Sequence, residues 1–433
     1  MATQVNLQRN SEVFYSTVDL NGGAAATAMS AANTWKVEIL AGFAFSQASA
    51  TQDITTLESG TSPDRSTQRF NTAVNPVEWN FQTYLRPTGI QEGIQGASGS
   101  FTGNVKPLCD WFLWQALVSN QSPASGATNE KSAWENGGIL RTRTHVKIAN
   151  AQASTSNFPT ATENHIYMKL DNVFYQIVNA TVNEAAVDAA IDGIALTTWT
   201  GMGTKLVTLT DDVSSPAAHA RDRAVLVFGG ILANGTTVTS NASSNVVAAS
   251  HLHAPSTVGS ISCAKWDKHI VNTTETTASF IKNRLSGLEI QYVANAYNFP
   301  VTAMSFNYTN NTTYLTPEEL ATLNTPIGQF TGSKTITGSV SAYLRAGSDT
   351  DKGDSSRFLS GLIADTRTSV ASVSSANLIV GGNTAPYVNF GMPAVQFNFP
   401  VDNIEDVIGI TAEFLAQEKV KGTGDELSIT VAK

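Results

Sequence analysis

A handful of groupings in this chain have the residue types and spacing that chemistry uses. His251-Leu-His253 has the spacing of a metal-ligand pair. It lies in a Ser/Thr/Pro run with no third ligand nearby, so two exposed histidines are the simpler reading. Asp349-Thr-Asp351-Lys-Gly353-Asp354 opens like a calcium loop. Its fifth position is Gly and the closing Glu is missing, so a solvated turn that caps a helix fits better. Gly201-Met-Gly203-Thr-Lys205 has the residues of a phosphate loop without the spacing and reads as a turn at a strand end. Asp188 and Asp192 recur as Asp402 and Asp406 at an offset of 214, as a carboxylate dyad would need; duplicated acids point to turn capping or subunit contacts instead. Trp111-Phe-Leu-Trp114 has the rings to stack on bases or sugars, but such a run on an apolar helix is core first. Cys109 and Cys263 supply no disulfide framework and read as two reduced thiols. No catalytic, cofactor-binding or metal-ligating residue emerges, and the chain reads as a non-enzyme with no cofactor.

The elements around these residues are organised by a stretch that occurs twice, Phe45 to Arg86 and Phe306 to Arg345. The offset is 261 at Phe45/Phe306 and 259 at Tyr84/Tyr343. Each copy opens on an aromatic strand and ends in an alternating one that finishes Tyr-Leu-Arg. Side chains alternate along a strand, so Val77, Trp79, Phe81, Thr83 and Leu85 share an apolar face, as do Ile336, Gly338, Val340, Ala342 and Leu344. The opposite faces are wet: Glu78, Asn80 and Gln82, then Thr335, Thr337, Ser339 and Ser341. Between the two strands of each copy lies a polar excursion with Pro and Gly, residues 51–76 and 312–334, that reads as a reaching arm. After each copy comes a helix. Pro107 to Val118 is apolar nearly all round, whereas Phe358, Leu359, Leu362 and Ile363 form one stripe behind a cap at Asp354, Ser355 or Ser356. A β pair closes each repeat. The expected organisation is a first repeat over 1–210, a linker or insertion over 211–262 rich in Asn, Ser, Thr and Ala, and a second repeat over 263–433.

Charged residues make up only 14% of the 433 positions, and the formal net charge is -9. A sparsely charged, hydroxyl-rich surface suits a protein covered by copies of itself, because charge is depleted in interface cores. The acidic balance argues against a basic groove that grips phosphate. The N-terminus lacks the basic and apolar regions of a signal peptide, and no apolar run reaches the ~18 residues that span a bilayer, so no membrane contact is expected.

Read together, these landmarks resemble the major tail tube proteins of long-tailed, non-contractile (siphovirus) bacteriophages, in the duplicated-domain form of the T-five group. The resemblance is carried by Arg69-Phe-Asn71, Val77-Glu-Trp-Asn-Phe-Gln-Thr-Tyr84, Leu113-Trp-Gln-Ala-Leu117, His165-Ile-Tyr167 and Asp192-Gly-Ile-Ala-Leu-Thr-Thr-Trp-Thr-Gly201. It continues through Phe280-Ile-Lys-Asn283, Thr313-Tyr-Leu-Thr-Pro317, Pro326-Ile-Gly328, Phe330-Thr-Gly332 and Thr337-Gly-Ser-Val-Ser-Ala-Tyr-Leu344, nearly the whole chain in the family's order. It implies a mainly β protein of two tandem β-sandwich domains, each with one flanking α-helix and a long arm. It implies a structural virion protein of the tail, made in the host cytoplasm, whose trimeric pseudo-hexameric rings stack into the tube that conducts DNA at ejection. The implied partners are copies of itself, the tape measure, the tail terminator and the initiator complex; DNA passes without specific binding. On this reading Glu78, Asn80, Gln82, Thr335, Thr337, Ser339 and Ser341 face the lumen. Asp53, Asp64, Arg65, Arg69, Glu318, Glu319 and Gln329 on the two arms make contacts between rings and subunits. The alternative is a β-sandwich receptor-binding or adhesin protein of the same tail. The type member's additional C-terminal immunoglobulin-like domain has no expected counterpart after the second repeat, so surface decoration is not carried over.

Overall fold

Alternating apolar and polar residues, with few helix-forming runs, make strands the cheapest way to bury one face at a time. The computed structural model describes residues 11–16, 34–54, 68–87, 94–95, 101–102, 108–118, 140–141, 164–170, 173–208 except 192, 281–317 except 282, 293 and 294, 324–347, 352–368, 374–398 except 383, 401–403, 408–419 and 425–432. The chain is mainly β. The expected linker, the His251/His253 pair, Cys263, Asp192, Asp406, Asp349, Asp351 and Pro107 all lie outside the described residues.

The first half contains β1 (Ser11–Ser16), β2 (Thr34–Val37), β3 (Ala44–Ser46), β4 (Ser49–Ile54), β5 (Gln68–Val74) and β6 (Val77–Tyr84). Short β7 (Ile94–Gln95), β8 (Phe101–Thr102) and β9 (Leu140–Arg141) flank the helix α1 (Trp111–Val118). Then come β10 (Asn164–Leu170), β11 (Val173–Ala190), β12 (Leu196–Gly203) and β13 (Lys205–Thr208). The second half contains β14 (Gly287–Tyr292), β15 (Asn295–Thr309), β16 (Thr312–Leu315), β17 (Gly328–Thr331) and β18 (Thr335–Tyr343). It ends with the helix α2 (Ser355–Thr368) and with β19 (Ser374–Val380), β20 (Tyr387–Phe397), β21 (Val401–Asn403), β22 (Gly409–Ala416) and β23 (Ser428–Ala432).

Two ladders recur in the same order. One runs β3–β6–β12–β11 in the first half and β15–β18–β22–β21 in the second. The other runs β2–β1–β10–β11–β13 and, in the second half, β15–β14–β19–β20–β23. Long strands serve both ladders. β11 pairs β13 up to Val178 and β10 up to Ala180, with Asn179 at φ 49° where the β10 register shifts, and pairs β12 from Thr181. The stretch read from sequence as one strand, Trp35 to Phe45, is broken between β2 and β3, where Gly42 adopts φ 107°; its counterpart β15 runs unbroken. The ladders also revise the offset of the closing pair. Val187 stands opposite Thr197, and Asp402 opposite Ile410. The two strands are therefore displaced by 215 and 213 rather than both by 214, and Asp188 corresponds to Asn403, not to Asp402.

The core faces hold Val77, Trp79 and Phe81 from β6, Trp199 from β12, Phe306 and Tyr308 from β15, and Ile336 and Val340 from β18, each at most 3% exposed. Fully burying side chains of this size contributes roughly 1.5–3 kcal/mol each. The all-round apolar α1 is explained by its position. Trp114 meets Trp199 edge-on at 5.0 Å and Phe390 of the other half at 5.7 Å, and Phe390 stacks on Phe306 at 4.8 Å. α2 has one wall to cover: Phe358 and Leu362 are buried, and Asp354 caps it by accepting the Arg357 N–H at 2.9 Å.

A glycine–aromatic pair is exchanged between the halves. Trp79 on β6 lies opposite Gly201 on β12, whereas the corresponding places hold Gly338 on β18 and Phe414 on β22. A Cβ on Gly201 would run into the Trp79 ring, and one on Gly338 into the Phe414 ring. Each ring needs the cross-strand space that its glycine leaves. Asp110, just before α1, is buried and accepts a hydrogen bond from Thr83 Oγ1 at 2.9 Å, while Thr83 accepts one from Trp199 Nε1 at 2.9 Å. Burial outweighs these bonds and pushes the Asp110 carboxyl up to about 7.

Gly338→Ala is expected to cost about 1–3 kcal/mol by overpacking, and Phe414→Ala in the same chain to return part of it; chemical denaturation of the two single variants and the double variant measures the coupling, and strict additivity contradicts it. For Asp110, the raised folded carboxyl means that the native state holds a proton the unfolded state has lost between about pH 4 and 7. Relative to Asp110→Asn, the protein should lose stability as pH rises through that window, by on the order of 4 kcal/mol at most. Urea melts at pH 4.5, 6 and 7.5 check this, and a pH-independent difference contradicts it.

Candidate functional site

Directly paired residues in an antiparallel ladder project to the same side, so register alone assigns a face. β11 and β15 pair over Glu184–Ala190 and Ala303–Thr309, which joins the two halves into one continuous sheet. Asn80, Thr200, Glu184, Thr309 and Thr335 then stand in one row across five strands. Gln82, Thr198, Ala186, Asn307 and Thr337 form the next row. Ser339 lies opposite Ser305, Ser341 opposite Ala303, and Glu78 opposite Met202. The register therefore brings all seven residues read as wet faces, Glu78, Asn80, Gln82, Thr335, Thr337, Ser339 and Ser341, onto one side of one sheet. Those of the first half are exposed and those of the second half-buried.

This face is a hydrogen-bonded lattice of short polar side chains. Gln82 Nε2 donates to Thr198 Oγ1 at 3.1 Å, Ser305 and Ser339 hydroxyls meet at 2.8 Å, and Ser341 and Thr411 at 3.0 Å. At the joint between the halves, Glu184 accepts from Asn307 Nδ2 at 2.7 Å and from Thr200 Oγ1 at 3.4 Å. Over the paired rungs of this face the charged residues are all acidic: Glu78, Glu184, Asp188 and Glu413. Sequence reading did not single out Glu184, because the Ala-rich run of β11 lacks the aromatic alternation that marks the other strands. Among the described residues, no three His, Cys, Asp or Glu side chains converge as metal ligands do. Cys109 is buried, and burial pushes its thiol up to about 12, which leaves it unreactive at neutral pH.

The arms leave the sheet at one rim, as the hairpins β4–β5 and β16–β17. On the first, Arg69 and Asp53 face each other across the ladder and form a two-pronged ion pair at 2.6 and 3.1 Å, both side chains solvent-accessible. The Arg69 guanidinium holds the Asp53 carboxyl below its ordinary value. The second arm is already docked. Its Tyr314 hydroxyl donates to the Asn179 carbonyl at 2.8 Å and lies 3.0 Å from both the Met202 carbonyl and Thr181 Oγ1. Gln329, expected at a contact between subunits, is buried within its own chain at 4% exposure, opposite Tyr314 on the hairpin; the fold of the second arm onto the first half removes it from the surface. Asp64, Arg65, Glu318 and Glu319 fall outside the described residues. The far side of each arm presents an aromatic at matching places, Phe70 and Phe330, with Leu315 and Ile327 beside the latter, all exposed. At the opposite rim Ile191, Ile194, Leu285 and Ile408 are exposed.

No family model matches the chain. Compared with curated proteins, it is similar to the "Tail tube protein pb6" of Escherichia phage T5, 26% identical over 430 residues, which cover 98% of this chain and 75% of that protein. A likeness that spans almost every element, on a mainly β framework with the arms and the paired ladders in place, agrees with the resemblance read from the sequence landmarks. This likeness supports a T5-like tail tube protein with a structural role in the phage tail.

Proposed function

We propose that the chain is a duplicated unit, spanning 1–210 and 263–433 around the insertion 211–262, and that three copies close a ring whose inner wall is the acidic hydroxyl face. The observation that carries this is the joint between the halves. There the last strand of the first ladder, β11, pairs with the first strand of the second, β15. The corresponding strands at the two ends of this run, β21 and β3, each pair among the described residues with a single neighbour, β22 and β6. Carrying the internal register over by the offsets of the ladders puts Ala44 opposite Asn403, Phe45 opposite Asp402 and Ser46 opposite Val401 of a second copy. All three residues of each short strand are then matched, and the inner wall is left with no open edge.

Eight inner strands per chain give 24 for three chains. At about 4.8 Å per strand and a tilt near 40°, such a wall is about 45 Å across between backbones. Three chains of net charge -9 bring -27 to the ring, and a face whose ionised groups are carboxylates repels phosphate instead of binding it. Rings stack through the exposed apolar residues of the arm rim and of the opposite rim. The assembled tube belongs to the virion, is built in the host cytoplasm alongside the tape measure, terminator and initiator proteins, conducts DNA at ejection, and performs no catalysis.

Ala44→Cys with Asn403→Cys in one chain, in a Cys263→Ser background, should give covalent trimers on mild oxidation of associated protein, visible on non-reducing gels, while either change alone should not; trimers absent from associated protein contradict the register. Lysine at Asn80, Gln82, Thr335 and Thr337 together should leave tubes intact by negative-stain microscopy but slow DNA release from phage carrying them, and unchanged release contradicts the lumen assignment.

A further inference from the structure

The two arms correspond rung for rung. Thr313 faces Phe330 on the second as Gln52 faces Phe70 on the first, and Tyr314 faces Gln329 as Asp53 faces Arg69. They differ in what covers that second rung. Tyr314 and Gln329 are 8% and 4% exposed because the rung is seated on Thr181 and Met202 of the first half. The Asp53–Arg69 rung has no such cover: its side chains are 43% and 63% exposed. The receiving site is repeated as well. Thr181 faces Met202 across β11–β12, and the same places in the second half hold Gln396 and Leu415, facing each other across β20–β22. Thr181 is fully buried under its arm, whereas Gln396 is exposed and Leu415 is 43% exposed. The chain thus contains one docked arm on one seat, and one bare arm with one bare seat that cannot meet inside a single copy arranged as a ring segment.

We infer that the Asp53–Arg69 rung of one copy docks on Gln396 and Leu415 of the next, as a clasp over the seam between copies. This rests on the ring reading above and adds the contact that distinguishes the outer seam from the inner one. The inner clasp is a buried tyrosine hydroxyl on backbone carbonyls. The outer clasp is an ion pair laid over a leucine and an amide, in which the guanidinium plane and the aliphatic stem of Arg69 cover Leu415 while the Gln396 amide is placed to bond the carboxylate or the guanidinium. An apolar seat covered by charged groups that already neutralise each other loses less hydration on docking than an unpaired charge would. The inner joint is formed once, on folding. The outer joint must form between separately folded chains, so a clasp that stays soluble when open fits it.

The test uses the full chain with Cys263→Ser, allowed to associate. Asp53→Cys with Gln396→Cys, treated with a short bis-maleimide, should join neighbouring copies covalently, whereas each single variant should not. Ala44→Cys with Asn403→Cys is run beside it. Seam trimers without arm cross-links overturn the clasp and leave the ring standing; absence of both overturns the two together. Independently, Leu415→Asp should raise the concentration needed for association roughly tenfold with the circular dichroism of the chain unchanged, and unaltered association overturns the clasp.

Discussion

Backbone hydrogen bonds between Glu184–Ala190 and Ala303–Thr309 are the constraint on which the rest of the molecule hangs. A strand edge presents donors and acceptors that must be paired by protein or water. Once β11 and β15 pair each other, the β3–β6–β12–β11 and β15–β18–β22–β21 ladders become one run of eight strands, which ends among the described residues at the short strands β3 and β21. The other contacts between the halves follow this line. Behind it, Trp199, Trp114, Phe390 and Phe306 form a run of touching rings that crosses the boundary. In front, Glu184 ties Asn307 to Thr200. At the rim, Asn183 receives the N–H of Asn310 on its carbonyl at 2.9 Å and that of Thr312 on its side chain at 2.7 Å, which steers the second arm over the first half.

The same line explains why the two helices differ. Both begin where a strand ending Tyr-Leu-Arg hands over to the helix: the Arg86 carbonyl accepts from Cys109 at 3.2 Å and the Arg345 carbonyl from Ser356 at 3.0 Å. Both have an aspartate just before the first turn. Asp354 keeps the capping role, and backbone N–H donors hold its carboxyl below the ordinary value. Asp110 turns to Thr83 and the sheet, in a site so enclosed that ionisation is penalised. α1 is pressed between the halves, which demands apolar side chains all round and leaves its capping acid without water. α2 lies against a single wall and needs only a stripe.

Much of this was legible without coordinates. Alternation identified the core and wet faces of β6 and β18 to the residue, because period-two burial leaves an unambiguous mark on a strand that is wet on one side. The arms, one helix after each Tyr-Leu-Arg strand and a cap among Asp354, Ser355 and Ser356 were legible for similar reasons, because their signals are local. The start of the first helix was not, since Leu108 still bridges Pro87 and α1 begins only at Trp111. The closing pairs were harder. An offset judged from matching Val-Asp letters was one residue out on each strand, in opposite senses, and a one-residue slip turns every side chain to the other face. The sequence also led to one strand across 38–43, where the left-handed Gly42 breaks it.

What the chain by itself determined is therefore each element's period, face and likeness to its partner, since these follow from side-chain size and polarity over a few neighbouring positions. The tertiary structure alone decided that the two wet faces are one face, that Glu184 sits at their joint, and that Gln329 is inside while Asp53 and Arg69 are outside. Those facts depend on which strand edges meet. Backbone donors and acceptors are alike at every residue, so edge pairing leaves little trace in composition and is settled only when the whole sheet closes.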